Sequence, residues 1–88
     1  MTYEIQISKS ASKQIKKLPS EIQERIQVKV DSLAIEPRPD GVKKLKGREN
    51  GYRIRVGDYR IIYDIVDDIL LVTVVEVGHR SSVYRDKS

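Results

Sequence analysis

A short turn between two strand-like stretches constrains the fold of this chain more than any other feature. Residues 52–56 alternate strictly in character, and residues 59–65 are rich in β-branched and aromatic side chains. Gly57-Asp58 lies between the two stretches, and a two-residue loop with glycine first is typical of a type II′ β-hairpin. The sequence therefore predicts an antiparallel hairpin whose register is set by its turn.

This register separates apolar from basic side chains, because successive residues of a strand point to opposite faces of a sheet. Arg55 lies opposite Arg60, and like charges in such a position destabilise a sheet. Because guanidinium groups match phosphate in shape and charge, we interpret the basic face as an anion-binding surface. The alternative is an exposed face whose arginines pair with acids such as Glu49, Asp64 or Glu76. The predicted apolar face holds Ile54, Val56, Tyr59 and Ile61, and the predicted basic face holds Arg53, Arg55 and Arg60.

The segments around the hairpin predict an α+β fold in a single domain, residues 1–88. Helices that precede a run of closely spaced strands are typical of such a layer fold. We expect a mostly antiparallel sheet of three to four strands after the helices, and a short C-terminal tail or helix. The predicted elements are a strand over 3–7, a helix capped by Ser8 and ended by Pro19, and a helix from a Ser20–Gln23 capping box to Ile35 or Glu36. An irregular strand over 42–46, the hairpin, and an apolar strand over 69–77 at the centre of the sheet follow.

Composition excludes several classes of protein. There is no cysteine and a single histidine, His79, so we expect neither a disulfide framework nor a metal site. The longest apolar stretch is too short to span a bilayer, and the N-terminus lacks the features of a signal peptide. We therefore expect a cytoplasmic protein with no membrane partner. The net charge is +4, and residues 43–60 contain seven basic residues and two acids, which indicates an anionic partner.

The segment after Gly78 carries residue types that suit RNA. Residues 79–85 include a histidine, two arginines and a tyrosine. Arginine binds phosphate, tyrosine stacks on an unpaired base and histidine transfers protons. On composition alone, a basic tail that frays from the domain explains this segment better.

The order of elements and four sequence motifs resemble the RelE/ParE toxin superfamily. The motifs are KLKG at 44–47, YRIR at 52–55, GDYRIIY at 57–63 and VGHRSSVY at 77–84. The resemblance covers nearly the whole chain, and its specific part is 44–84. It implies a RelE-type toxin that cleaves messenger RNA in the ribosomal A site, without metal or other cofactor, by attack of the 2′-hydroxyl on the adjacent phosphate. It also implies a cognate, flexible RelB-like antitoxin, and operator DNA as a partner through the toxin–antitoxin complex.

The resemblance also assigns roles to individual residues. It implies that Arg60 and Arg80 bind phosphate, and that Tyr84 stacks on a base and takes part in the chemistry. Arg53 and Arg55 fall where RelE itself has two lysines, and because arginine stays protonated they can hold phosphate but cannot act as a general base. Lys44 and Lys46 are further candidates for binding RNA phosphate.

The general base is then either Tyr84 or His79. Histidine titrates near neutrality, and arginines around a tyrosine lower its pKa. The alternative is that His79 only shapes the turn after Gly78. Two other functions stay open for the whole protein: a ParE-type inhibitor of DNA gyrase, and a basic protein that binds nucleic acid without cutting it, with salt-dependent affinity.

Overall fold

The computed structural model describes residues 2–79 and 81, in which two helices cover one face of a five-stranded sheet. Strand order is β1-β5-β4-β3-β2, with β1 parallel to β5 and every other pair antiparallel. The α+β fold with a mostly antiparallel sheet is confirmed. Within the described residues, neither helix has the length and apolar character that crossing a bilayer requires. The elements are β1 Glu4–Ile7, α1 Lys9–Lys16, α2 Ser20–Leu33, β2 Lys43–Lys44, β3 Gly51–Val56, β4 Tyr59–Val66, a 3-10 turn Asp67–Ile69, and β5 Leu71–His79.

The first helix begins as predicted, and the second does not. The Ser8 hydroxyl accepts a hydrogen bond from the Ala11 N–H at 3.0 Å, as an N-cap residue should. Ser20 is already the first residue of α2, so the predicted capping box is wrong. The Gln23 amide instead donates to the Leu18 carbonyl at 2.8 Å and so satisfies the end of α1. The second helix also ends earlier than predicted, at Leu33.

The core lies between the helices and the face of the sheet that the hairpin pattern predicted to be apolar. Ile54 and Ile61 are buried there, and Val56 and Tyr59 pack against the same cluster. The arginine face of the hairpin is therefore the face turned away from both helices. The other buried members of this core are Ala11, Ile26, Val30, Leu33, Tyr63, Ile65, Val72, Val74 and Val77.

A β-bulge in β5 explains why valines at both even and odd positions of this strand reach the core. Tyr63 pairs with Val74, but the preceding Ile62 pairs with Glu76, so Val75 is the extra residue. Because of the bulge, Val77 points to the same face of the sheet as Val74. The predicted central position of this strand is off by one place, because β4 is the middle strand and β5 lies between it and β1.

The loop between α2 and β2 is fastened to the sheet by a polar cluster. The Tyr63 hydroxyl donates to the Pro37 carbonyl at 2.7 Å in a buried position. Arg38 forms an ion pair with Asp67 at 2.9 Å and donates to the Tyr52 hydroxyl at 3.2 Å. Hydrogen bonds from Arg38 and then from Tyr3 hold the pKa of the Asp67 carboxyl below its ordinary value. These contacts hold in place the loop that leads to the basic face.

Replacing Tyr63 by phenylalanine should lower the free energy of unfolding by about 1–3 kcal/mol, because the buried Pro37 carbonyl loses its donor. Burial also raises the pKa of Tyr63 above its ordinary value of 10.0. An unfolded chain would ionise this tyrosine at lower pH than the folded one, so the native protein should lose stability as pH rises above 10. Urea unfolding at pH 8 and above pH 10 should show a smaller alkaline loss for Tyr63→Phe. The partly exposed Tyr59→Phe is the control; an equal effect there would contradict the assignment.

Candidate nucleic-acid interface

The hairpin brings the three predicted arginines to one face in the predicted register. Arg55 pairs with Arg60, and Arg53 pairs with Ile62. Gly57 has a φ of +60°, which suits the first central position of the II′ turn and favours glycine there. The three side chains differ in depth: Arg55 is exposed, Arg53 is half-buried and Arg60 is buried.

The three arginines line a cleft of about 310 Å³ on this face. The other described residues of the lining are Gly41 and Lys43, so four of the five described residues carry a positive charge and none of these five is acidic. Positive charges gathered in a concave site raise the local concentration of anions. The arrangement suits phosphate groups of a nucleic acid.

Arg60 forms the floor of this cleft. Its side chain is 3% exposed, and arginine is rarely buried unless its N–H groups are paired. Its Nη1 donates to the Tyr59 carbonyl at 3.5 Å, one of the contacts that hold the guanidinium. Gly78 lies opposite Arg60 on the neighbouring strand β5, and it has no side chain that could occupy the space of the guanidinium. The guanidinium is therefore buried and hydrogen-bonded in the absence of a ligand.

Repulsion between Arg55 and Arg60, which lie opposite each other in the hairpin, should lower the stability of the protein. Arg55→Thr should raise the free energy of unfolding by about 0.2–1 kcal/mol, because it removes the repulsion with Arg60. The gain should shrink in high salt, which screens the exposed charge. Urea unfolding at low and high salt measures both effects. Arg55→Lys keeps the charge and should show no gain; destabilisation by Arg55→Thr would contradict the claim.

Two predicted phosphate-binding lysines lie away from the cleft. Lys44 is on the opposite face of β2, where its ammonium sits 5.2 Å from the centre of the Tyr52 ring and donates to the Glu49 carbonyl. Lys46 lines a separate, open hollow formed by residues 44–49. Among the described lysines, Lys43 lines the cleft, and it lies opposite Arg53. Sequence reasoning missed it because no tight turn fixes the register between β2 and β3.

His79 lies on the helix-covered face, away from the arginines. It pairs with Tyr59, whose ring meets the imidazole edge-on at 5.5 Å between centroids. The Ser81 N–H donates to His79 Nδ1 at 3.3 Å. This contact joins Ser81 to the last residue of β5. Two other predicted site residues, Arg80 and Tyr84, lie outside the described residues.

Comparison with known proteins agrees with the fold. The family model of the ParE toxin of the type II toxin–antitoxin system parDE matches residues 5–84. The mRNA interferase toxin RelE of Escherichia coli K12 is 31% identical over 90 residues, which cover 98% of this chain and 94% of that protein. Toxin RelE3 of Methanocaldococcus jannaschii is 35% identical over 81 residues, which cover 88% of this chain and 90% of that protein.

Solved structures give the same result. A chain of the archaeal RelE–RelB complex from Pyrococcus horikoshii has a TM-score of 0.81 and 33% identity, covering 91% of this chain and 97% of its own length. A chain of the RelBE2 toxin–antitoxin complex from Mycobacterium tuberculosis has a TM-score of 0.80 and 28% identity, covering 92% and 94%.

The two-helix layer, the five-stranded sheet and the family match together define a small toxin of a type II toxin–antitoxin system. The chain belongs to the ParE toxin family, within the RelE/ParE superfamily, and it is of the RelE type.

Proposed function

We propose that this protein is an endoribonuclease that cuts messenger RNA in the ribosomal A site and that a cognate RelB-like antitoxin neutralises it. The observation that carries the proposal is the cleft in which Arg53, Arg55 and Lys43 surround a buried Arg60. The relative from E. coli is named an mRNA interferase, and the P. horikoshii relative was solved as a RelE–RelB complex, which supports both the activity and the partner.

In the proposed reaction the messenger supplies its own nucleophile. The 2′-oxygen forms a bond to the adjacent phosphorus, the bond from phosphorus to the 5′-oxygen breaks, and the product ends in a 2′,3′-cyclic phosphate. A base takes the proton of the 2′-hydroxyl, and an acid returns a proton to the departing 5′-oxygen. The reaction needs no metal, because the charge that develops at phosphorus is stabilised by arginine.

Arg60 has the position that this stabilisation requires. A buried guanidinium that already donates to the Tyr59 carbonyl has little freedom to reorganise as the transition state forms. Arg53 and Arg55 lie beside it and add positive charge. Neither can take the proton, because an arginine side chain stays protonated.

Proton transfer then falls to the segment after β5. His79 faces the helices, so of the two candidates we assign the general base to Tyr84. We assign Arg80 as a second phosphate ligand. The residues of this chain would hold and polarise the phosphate, and the tyrosine would move the proton.

The cleft also indicates why the ribosome would be needed. Phosphate contacts position a nucleic acid but carry no information on base identity. The lining among the described residues consists of four cations and a glycine, which recognise phosphate only. Orientation of the scissile nucleotide must then come from elsewhere, as it does for a messenger held in the A site.

Primer extension on a messenger held in translating ribosomes tests the proposal, with a ribosome-free messenger as the control. We expect cuts within A-site codons, 2′,3′-cyclic phosphate ends, and loss of cutting when the cognate antitoxin is added. A folded protein that makes no cuts would sink the proposal. A gyrase supercoiling assay would then test the ParE-type function, and RNA binding without cutting would point to a non-catalytic protein.

A further inference from the structure

We infer that Lys43 is a further phosphate-binding residue and that the RNA backbone crosses strands β4, β3 and β2, with the scissile phosphate at Arg60 and the neighbouring phosphate between Lys43 and Arg53. This inference rests on the proposed function and adds to it the path of the substrate. It concerns a residue that the sequence motifs did not single out.

The strand pairing places these cations along a diagonal across the strands. Lys43 pairs with Arg53 on β3, and Arg55, two residues further along the same strand and face, pairs with Arg60 on β4. Neighbouring strands lie about 4.8 Å apart and residues two apart on a strand lie about 6.8 Å apart, so the diagonal from Lys43 on β2 to Arg60 on β4 spans roughly 12 Å. Successive phosphates of one nucleic-acid strand advance about 3.4 Å along a duplex axis, so this diagonal is long enough for at least two phosphates.

The burial of the side chains indicates which phosphate each of them binds. Arg60 is buried and fixed, which suits the reacting phosphate. Lys43 is exposed on the two-residue edge strand β2. Its ammonium is a compact charge on a flexible stem, which suits a phosphate that must be held but does not react.

A competing explanation is that Lys43 only protects the sheet edge, since lysine on edge strands discourages pairing with other chains. That role would be served on either face of β2. Lys43 instead faces Arg53, so a second like-charge pair stands beside that of Arg55 and Arg60. Two such pairs within one cleft are unfavourable for the sheet alone. A bound anion would reduce the repulsion within both pairs.

Binding of a short single-stranded RNA, made uncleavable by 2′-O-methyl groups, tests the inference without ribosomes. Fluorescence anisotropy over a series of salt concentrations gives both the affinity and the slope of log K against log salt. Lys43→Ala should weaken binding about fivefold and reduce the slope by about 0.7, the value for one lost phosphate contact on a single strand. Lys43→Arg should restore the slope.

Lys13→Ala is the matched control, because Lys13 is exposed on α1, on the other side of the sheet, and its loss changes the net charge equally. Equal affinities and slopes for the two alanine variants, with both folded by circular dichroism, would overturn the inference even if the native protein cuts messenger. A specific Lys43 effect in a protein that makes no ribosomal cuts would support phosphate binding by Lys43 and overturn the proposed function. Absence of RNA binding by the native protein would overturn the inference.

Discussion

Replacing Arg60 by alanine should slow messenger cleavage by about 10²- to 10³-fold, the usual effect of removing one preorganised group that stabilises a charged transition state. The expected loss is in kcat rather than in KM, because the guanidinium acts on charge that develops during the reaction. Single-turnover cleavage on ribosomes loaded with saturating protein measures this directly. Arg55→Ala, at an exposed position in the same cleft, should have a smaller effect.

Burial of Arg60 complicates this test, because the alanine variant also loses packing at a site that is 3% exposed in the native protein. Arg60→Lys keeps the charge and most of the volume but lacks the planar fork of donors. We expect it to fold and to cleave at an intermediate rate. Native-like cleavage by both variants, with native melting curves, would remove Arg60 from the mechanism.

Replacing Ile26 by alanine should lower the free energy of unfolding by about 2–5 kcal/mol, the range for large apolar residues removed from a core. Ile26 lies on α2 with 1% of its surface exposed, among the residues that join the helices to the sheet. A domain of 88 residues has a total stability of roughly 4–13 kcal/mol at about 0.05–0.15 kcal/mol per residue, so this loss is a large share. Urea unfolding followed by circular dichroism gives the value.

The same substitution just beyond the end of that helix provides the control. Ile35 is 74% exposed, so Ile35→Ala should change the free energy of unfolding by less than about 0.5 kcal/mol. Comparable losses for the two variants would mean that the helices do not form the core described above.

The sequence predicted those parts of the fold that local chemistry determines. The Gly57-Asp58 turn set the register of the hairpin, and that register assigned its side chains to the two faces correctly. The Val75 bulge was not predictable, because an extra residue leaves no signal in a run of valines. The position of β5 beside β1 depends on pairing between distant segments, which periodicity does not report.

The candidate site followed the same division. The arginine face follows from alternation, and the depth of Arg60 does not, because it depends on β5 presenting Gly78 opposite. The KLKG motif predicts Lys44 and Lys46 as phosphate ligands, but a motif does not give the register of β2 against β3. A shift of the register by one residue moves every side chain of a strand to the opposite face. Lys43, and not Lys44, therefore lies on the face that lines the cleft.

The pairing of β1 with β5 has a consequence for the order in which the molecule assembles. Glu4 lies beside Leu71, so the first strand joins the sheet only after the chain has been made as far as β5. Contacts between distant segments form slowly, because a long loop must close before they are gained. The β3–β4 hairpin can form early, but the Gly78 side of the Arg60 pocket comes from the last strand. We expect the nascent chain to complete the floor of the cleft only after β5 has been made, which would delay the proposed action on the ribosome that makes it.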